Sequence, residues 1–347
     1  PDRVPIPKVD LRSMLTGLGP VAVFCASNFP LAFSAAGGDT ASALAAGCPV
    51  VVIAHPAHPG LAEIVAEAVI EAANQTSMPE GVFSLLFSGG YEVGQTVVAA
   101  PEIKAVGFTG SLKGGRALMD IAAARPEPIP VFAEMSAINP VAILPSALGD
   151  NSESLATAAS GSLTLGVGQF CTNPGLFFIP SEGAEAFTEK FVELTKQVAP
   201  ATMLHGGICD SYKNGIYALN DQPNVETLLL VEHDQFGAAA PAIFRATTQE
   251  FVSNKVLSSE VFGPATLIVT YQDHDELLAL AEYIDGQLTT SIFGNETDDI
   301  AELISVLDRK SGRVIFNQFP TGVEVCPSMV HGGPYPATSD GRSTSVG

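Results

Sequence analysis

The chain has 347 residues, 46% of them hydrophobic and 15% charged, and a formal net charge of −21. This length predicts two folded domains, and the composition excludes a disordered chain. The negative charge argues against a nucleic-acid partner because it would repel a phosphate backbone. No apolar run approaches the roughly eighteen residues of a membrane-spanning helix.

The first 134 residues alternate short apolar strands with helices rich in small residues. The pattern predicts strands at 21–25, 50–53, 83–87, 105–108 and 130–133, and helices at 34–46, 61–73 and 112–124. Continuous apolar strands between helices are typical of a parallel sheet covered on both faces, the doubly wound arrangement. The G-x-G-x-x-G fingerprint is absent, so the pattern alone indicates only a generic α/β domain.

The remaining residues continue the same alternation. Strands are predicted at 176–179, 227–231, 267–269, 291–293 and 313–316, and helices at 154–165, 182–198, 276–283 and 298–307. The acidic run 273–276 contains a histidine and carries metal-ligand residue types. It precedes an apolar stripe, which favours the N-cap and first turn of a helix over a metal site. No metal site is predicted.

Five cysteines are present, an odd number without a C-x-x-C pair, at positions 25, 48, 171, 209 and 326. Free thiols in this pattern indicate a reducing compartment, which predicts a cytoplasmic protein. Cys171 is distinguished by polar neighbours, Gln169, Thr172 and Asn173, and by nearby glycines. It is a candidate nucleophile, and a buried structural cysteine is the alternative.

Two further polar residues follow apolar strands of the first half. Glu134 ends the strand 130–133, where a carboxylate is costly unless it is hydrogen-bonded or functional. It is a candidate for activating water, with a satisfied buried acid as the alternative. Asn28 follows the first strand, at the edge where parallel sheets hold ligands, or else caps the turn before Pro30.

Five motifs occur in a fixed order along the chain, at 27–30, 107–111, 132–135, 168–173 and 260–264. Together they resemble the aldehyde dehydrogenase superfamily. The wording of Phe-Ala-Glu-Met-Ser-Ala-Ile-Asn-Pro and Gly-Gln-Phe-Cys-Thr-Asn-Pro-Gly is most similar to the 2-oxoglutarate semialdehyde (2,5-dioxovalerate) dehydrogenases. The resemblance covers essentially the whole chain, which is expected to lack the family's N-terminal segment and C-terminal tail.

The resemblance implies an α/β fold of two doubly wound parallel-sheet domains with the active site between them. Residues 1–134 are then part of the cofactor-binding domain, residues 135–313 are the catalytic domain, and residues 314–347 return toward the cofactor domain. A homodimer or homotetramer is expected for the full-length protein.

The resemblance also implies a reaction, the NAD(P)-dependent oxidation of an aldehyde to a carboxylate. Cys171 would attack the aldehyde, giving a thiohemiacetal and then a thioester. Asn28 and the Cys171 backbone N–H would hold the oxyanion, and Glu134 would activate the water that releases the product. A non-catalytic relative and a cofactor-independent thiol esterase remain the alternatives.

Cofactor contacts follow from the same resemblance. The segment Thr109, Gly110 and Ser111 would face the cofactor phosphates, and Ser111 can also cap the following helix. Glu260 would bind the nicotinamide ribose, and Phe262 would wall the cofactor.

One position departs from the family pattern. The family has a lysine for the adenosine ribose where this chain has Ile53. His55 and His58 are candidates to contact the ribose or a 2′-phosphate, or are ordinary loop histidines. NADP is preferred to NAD because no acidic residue lies beside them to repel a 2′-phosphate.

The substrate contacts are the least determined part of the site. Phe170, beside the nucleophile, is a candidate to line the substrate pocket. Arg313 and Arg342 are candidates for binding a substrate carboxylate, and ordinary surface or strand-end charges are the alternative.

Overall fold

The computed structural model describes residues 10–322, 326 and 328–342. The first half forms a five-stranded sheet in the order β3-β2-β1-β4-β5, with every pairing parallel. Its strands are β1 (Val21–Phe24), β2 (Val50–Ile53), β3 (Phe83–Leu86), β4 (Ala105–Thr109) and β5 (Val131–Glu134). Its helices are α1 (Gly38–Ala45), α2 (Pro59–Gln75), α3 (Glu92–Ala99) and α4 (Leu112–Ala124).

The second half forms a seven-stranded sheet that is parallel except at one edge, where β9 is antiparallel to β11. The strands of this half are β6 (Pro140–Ile143), β7 (Leu176–Pro180), β8 (Ala201–Thr202), β9 (Glu226–Leu230), β10 (Ala238–Ala239), β11 (Ala242–Thr247), β12 (Ala265–Tyr271), β13 (Gln287–Phe293) and β14 (Ser311–Phe316). The order in the sheet is β14-β13-β6-β7-β12-β11-β9, and β8 pairs separately with β10. The helices are α5 (Ser152–Thr164), α6 (Glu185–Lys196), α7 (Gly206–Asn220), α8 (Thr248–Ser253), α9 (His274–Tyr283) and α10 (Ala301–Leu307).

Burial on both faces explains the continuous apolar strands. In β12, Leu267 and Val269 pack into one core cluster and Ile268 into another on the opposite face. Because successive strand residues point to opposite faces, a sheet with two covered faces needs apolar residues at every position. The predicted fold class, two doubly wound α/β units, is confirmed.

The structure also contains elements that the sequence pattern did not predict, namely α3, α7, α8, β6, β8, β10 and β11. Helix α7 carries three glycines, which lower its helical propensity, and β6 begins at a proline. Asp273 caps α9 by accepting a hydrogen bond from the Glu276 N–H, which confirms the predicted helix start. The domain limits stay a prediction; strand β14 continues to Phe316 in the second sheet.

Among the helices of the described residues, none has both the length and the apolar character needed to cross a bilayer.

Candidate active site

Glu134 is held in place by the strand that it ends. It is the last residue of β5, its side chain is only 1% exposed, and its carbonyl accepts a hydrogen bond from the Gly110 N–H at 3.0 Å. It also forms an isolated bridge with Thr338, which returns from the C-terminal segment. The carboxylate therefore projects from the carboxyl edge of the first sheet, where parallel sheets present ligand-binding groups.

Cys171 lies on a loop whose backbone needs a glycine. Gly168 has a φ of +63°, and a Cβ at this position would lie 2.3 Å from the carbonyl carbon of Gly263. A side chain at residue 168 would therefore force the loop away from the Gly263 segment. The neighbouring Val167 also has a positive φ of 60°, which costs energy in a β-branched residue.

Buried amide side chains fasten this loop to the second sheet. Asn139 donates from Nδ2 to the carbonyl oxygens of Cys171 at 2.8 Å and of Asn173 at 3.1 Å. Its Oδ1 accepts from the Thr289 hydroxyl at 3.0 Å, so both ends of the amide are paired. Gln287 Oε1 in turn accepts from the Asn139 N–H at 3.0 Å. This network fixes the backbone on which the nucleophile sits.

The structure brings Cys171 and Glu134 together and adds a residue that sequence reasoning missed, His331. The His331 Nε2 lies 3.2 Å from Cys171 Sγ and 3.1 Å from Glu134 Oε1. One carboxylate oxygen of Glu134, the sulfur of Cys171 and one ring nitrogen of His331 all lie within 4.8 Å of one another. His331 stands 160 residues after Cys171, and its only sequence signal is the following Gly-Gly-Pro segment.

The surroundings of the thiol oppose its ionisation. Burial raises the pKa of Cys171 well above its usual value, and the negative charge of Glu134, a hydrogen bond to Glu134 and the charge of Glu260 raise it further. Its own backbone N–H acts in the opposite direction. Glu134 is the carboxylate that is hydrogen-bonded to the thiol, and a thiolate at this position needs hydrogen-bond donors once it forms.

The loop after β1 also contacts the loop that carries Cys171. Asn28 Nδ2 donates to the carbonyl of Gln169 at 3.3 Å, and Gln169 stands two residues before Cys171. The Phe170 ring packs edge-on against Phe29, with 5.4 Å between the centroids. The structure therefore brings both Asn28 and Phe170 to the nucleophile loop, and their roles in the reaction stay predictions.

The predicted phosphate-side residues lie at the start of α4. Ser111 caps this helix, since its Oγ accepts from the Gly114 N–H at 3.2 Å, while Thr109 ends β4 and Gly110 is exposed. The Leu112 N–H donates to Ser136 Oγ at 3.2 Å. The helix cap is confirmed, and contact with a cofactor stays a prediction.

Glu260 and Phe262 approach from the second half of the chain. Burial raises the pKa of Glu260 to about 7, against hydrogen bonds from Ser136 and the Ala137 N–H that lower it. Phe262 is partly buried and packs against the core of the second sheet. Ser136 therefore contacts both the Glu260 carboxylate and the start of α4, which joins the two predicted cofactor-binding segments.

Three histidines cluster beside the end of β2. His55 stacks on His58 at 5.3 Å between centroids and lies 5.6 Å from His205. Burial lowers the pKa of His55 to about 4, helped by the other two rings, so His55 is neutral at pH 7. Within the part of the chain that the structure describes, His58 Nδ1 and His205 Nε2 are buried without a hydrogen-bond partner. Ile53 is 6% exposed in an apolar cluster.

The two arginine candidates lie in different environments. Arg342 forms a two-point ion pair with Asp340, and its side chain is 91% exposed, so the structure does not bring it to Cys171. Arg313 is half-buried, with Nη2 3.5 Å from His331 Nδ1. Cys326 is partly exposed, with its Sγ 3.4 Å from the Ser328 hydroxyl oxygen.

Known proteins resemble this chain in sequence and in fold. A relative from Azospirillum brasilense, alpha-ketoglutaric semialdehyde dehydrogenase 2, is 50% identical over the whole chain and 67% of its own length. The alpha-ketoglutaric semialdehyde dehydrogenase of Acinetobacter baylyi is 47% identical over the whole chain and 66% of its own length. The chain thus spans about two thirds of the length of these curated relatives.

Solved structures resemble this chain in fold. The glyceraldehyde-3-phosphate dehydrogenase GapN of Methanocaldococcus jannaschii, solved in complex with NADP, superposes with a TM-score of 0.78 at 21% identity. The match covers 93% of this chain and 69% of that chain. A model of the aldehyde dehydrogenase family matches residues 3–335. This chain belongs to the aldehyde dehydrogenase family.

Proposed function

We propose that the protein is an NAD(P)-dependent dehydrogenase that oxidises an aldehyde to a carboxylate. The observation that carries this proposal is the convergence of Cys171 and Glu134. They lie 37 positions apart in sequence, yet the Cys171 sulfur and a Glu134 carboxylate oxygen are within 4.8 Å of each other. A thiol beside a carboxylate supplies the nucleophile and the base of covalent acyl transfer. Family membership supports the same chemistry.

The steps follow from the positions of these groups. Glu134 takes the thiol proton, and Cys171 Sγ bonds to the aldehyde carbon. The resulting oxyanion receives hydrogen bonds from Asn28 Nδ2 and the Cys171 N–H, each worth about 3 kcal/mol of transition-state stabilisation. When bound, the nicotinamide cofactor supplies the hydride acceptor for the oxidation. Glu134, after losing its proton to solvent, deprotonates the water that attacks the thioester and releases Cys171.

The residues at the sheet edge fit a dinucleotide. The N-terminus of α4 offers backbone N–H groups beside Thr109 and Ser111 for phosphates. The unpartnered nitrogens of His58 and His205 offer donors or acceptors for a ribose or its phosphate. We favour NADP because no acidic residue lies within residues 55–58 to repel a 2′-phosphate. The ratio of kcat/KM for NADP and NAD tests this preference, which His58→Glu is expected to shift toward NAD.

The proposed substrate is 2-oxoglutarate semialdehyde, after the names of the two curated relatives described above. Its carboxylate needs a cation near Cys171. Arg313 is favoured for this role over Arg342, because it is half-buried near the nucleophile and its Nε is buried without a hydrogen-bond partner among the described residues. Arg313→Met should raise KM for the acidic aldehyde more than for an uncharged aldehyde of equal length.

The decisive experiment measures reduction of NADP by the intact protein with 2-oxoglutarate semialdehyde. Cys171→Ala is expected to lose roughly 10³-fold or more of kcat. Cys48→Ala, at a buried position in the first sheet's core, is the matched control and should retain activity. Ester hydrolysis without cofactor binding would favour a thiol esterase. Absence of both activities and of cofactor binding would favour a non-catalytic relative.

The free thiols support a cytoplasmic location, and the family supports a homodimer or homotetramer that acts on small aldehydes. Light scattering of the intact protein at working concentration tests the oligomeric state; a monomer would contradict it.

A further inference from the structure

His331 occupies the centre of the active site, between groups of opposite hydrogen-bonding character. Its Nε2 faces Cys171 Sγ at 3.2 Å and Glu134 Oε1 at 3.1 Å. Its Nδ1 faces Arg313 Nη2 at 3.5 Å. The side chain is 4% exposed, so water does not compete freely for these nitrogens. Each ring nitrogen must therefore match the partner that it faces.

The partners determine which nitrogen carries the proton. A guanidinium has only donors, so the nitrogen that faces Arg313 must accept. An ionised carboxylate has only acceptors, so the nitrogen that faces Glu134 must donate. Both requirements assign the proton to Nε2 and leave the lone pair on Nδ1. In this tautomer His331 has no lone pair directed at the cysteine and does not deprotonate it.

We propose that His331 is a catalytic donor that stabilises the negative charge as it moves from Glu134 to Cys171, and that Arg313 is the positioning residue that selects its tautomer. This inference rests on the proposed function, because it assigns the proton acceptor to Glu134 and the nucleophile to Cys171. In the step, the S–H bond breaks, an O–H bond forms on Glu134, and the electron pair remains on sulfur. The Nε2–H lies at nearly equal distances from both charge positions, so the ring need not move.

The charged groups around the cluster come from several elements. Glu134 ends β5, Glu260 acts on the thiol from the segment before β12, and Arg313 lies on β14. Asp39, on α1, interacts electrostatically with Glu134. Three of these four groups are acidic, and the pKa of the thiol is raised well above its usual value. A donor directed at the sulfur is what this environment requires for a thiolate to form.

The test measures the rate of Cys171 alkylation by iodoacetamide against pH in the intact protein without substrate. A Cys326→Ser background removes the partly exposed thiol, whose lowered pKa would add a second reaction. Peptide mass spectrometry identifies the alkylated residue. His331→Phe keeps a ring and loses the donor; it should raise the midpoint by about one pH unit and slow alkylation about tenfold below it. His331→Gln carries an amide donor of similar reach and should restore most of the rate.

A second pair of variants keeps the test decisive if the phenylalanine variant does not fold. His331→Asn is polar but places its amide near the Nδ1 position, so it should react like the phenylalanine variant, while the glutamine variant should not. Arg313→Met frees the ring to protonate at Nδ1 and should also raise the midpoint. Arg313→Lys, which keeps a donor, should not. Arg309→Met, in an exposed ion pair with Glu282, is the control.

Two results would overturn the inference. Equal alkylation midpoints in the wild type and in the phenylalanine and asparagine variants would exclude a donor role for His331. A wild-type midpoint in Arg313→Met would exclude the selection of the tautomer by arginine. Because alkylation needs neither aldehyde nor cofactor, failure of the proposed oxidation reaction would appear separately, as a protein that shows these shifts but reduces no NADP.

Discussion

The two sides of the active site differ in how their polar groups are satisfied. On the nucleophile side, the Asn139 amide pairs with the carbonyls of Cys171 and Asn173 and with Thr289. On the cofactor side, Gly110 and Ser111 are exposed and ring nitrogens of His58 and His205 are buried without partners in the described part of the chain. The backbone carbonyls of the Cys171 loop are satisfied without a ligand, whereas the cofactor side presents ring nitrogens that a ligand can satisfy.

This difference fits the proposed function, in which one side of the site carries the covalent chemistry and the other binds the cofactor. Covalent chemistry needs a nucleophile whose position is fixed before the substrate arrives, and the amide network of the second sheet holds the Cys171 loop in this way. A cofactor that enters and leaves needs an accessible edge with backbone N–H groups, which the first sheet provides. Damage to the nucleophile side should therefore reduce kcat, and changes on the cofactor side should alter cofactor affinity.

Gly168→Ala should give the largest effect, because residue 168 lies in the loop that carries Cys171. The new Cβ would lie 2.3 Å from the Gly263 carbonyl carbon and would require a φ of +63°. We expect a loss of roughly 10²-fold or more in kcat, and a fall of about 2–4 kcal/mol in the free energy of unfolding. Steady-state kinetics and urea unfolding measure the two effects.

The matched control is Gly161→Ala in α5, where no atom lies within 4 Å of the added Cβ. It should be neutral or stabilise the protein by about 0.5–1 kcal/mol, because alanine is the better helix former. Equal kinetics for the two alanine variants would show that the Cys171 loop does not depend on its contact with Gly263.

Asn28→Ala tests whether the loop from the first sheet contributes to the chemistry. Its amide lies beside the nucleophile loop, 3.3 Å from the Gln169 carbonyl. We expect a loss of roughly 10²-fold in kcat with little change in cofactor affinity, since one oxyanion donor is removed. Asn28→Asp, which keeps the shape but replaces the donor with an acceptor, should lose at least as much. A variant with unchanged kcat would assign the oxyanion to the backbone N–H alone.

Asp39→Asn should make stability depend less on pH. Burial, together with the charge of Glu134, raises the pKa of Asp39 from 3.8 to about 6 in the folded state. Its stabilising contribution is therefore fully present below pH 4 and is lost as the pH rises through 6. At pH 8 the variant should be more stable than the wild type by about 2 kcal/mol, after allowance for partial exposure, and at pH 4 the two should be equal. Urea unfolding at both pH values checks this; a constant difference would contradict it.

Ile53→Lys should give the smallest effect, and it tests the cofactor side of the site. The isoleucine side chain packs in the cluster that contains Ala22 and Val98, so a lysine stem can replace it while its ammonium reaches the strand end. We expect NADP to bind about tenfold more tightly, at 1.4 kcal/mol per tenfold, with kcat little changed. Calorimetric titration decides it. Unchanged or weaker binding would show that the end of β2 does not face the cofactor.

Sequence reasoning predicted the elements whose pattern is local. The first sheet and α4 were expected within a few residues of their positions because apolar strands and a serine cap are visible in short windows. Helix α7 was missed because its glycines weaken the helical signal, and tertiary packing of residues such as Tyr212 decides its conformation.

The sequence by itself determined the family, the α/β class and the candidacy of Cys171, Glu134 and Asn28, because each depends on residue types at fixed local spacing. The tertiary structure alone decided that His331 joins them, since 197 residues separate it from Glu134 and no local pattern records that distance. It also placed Arg313 against the site and Arg342 in solvent. Side chains from distant segments meet only when both sheets have closed around the Cys171 loop, and hydrogen-bond partners in a buried site are defined only then.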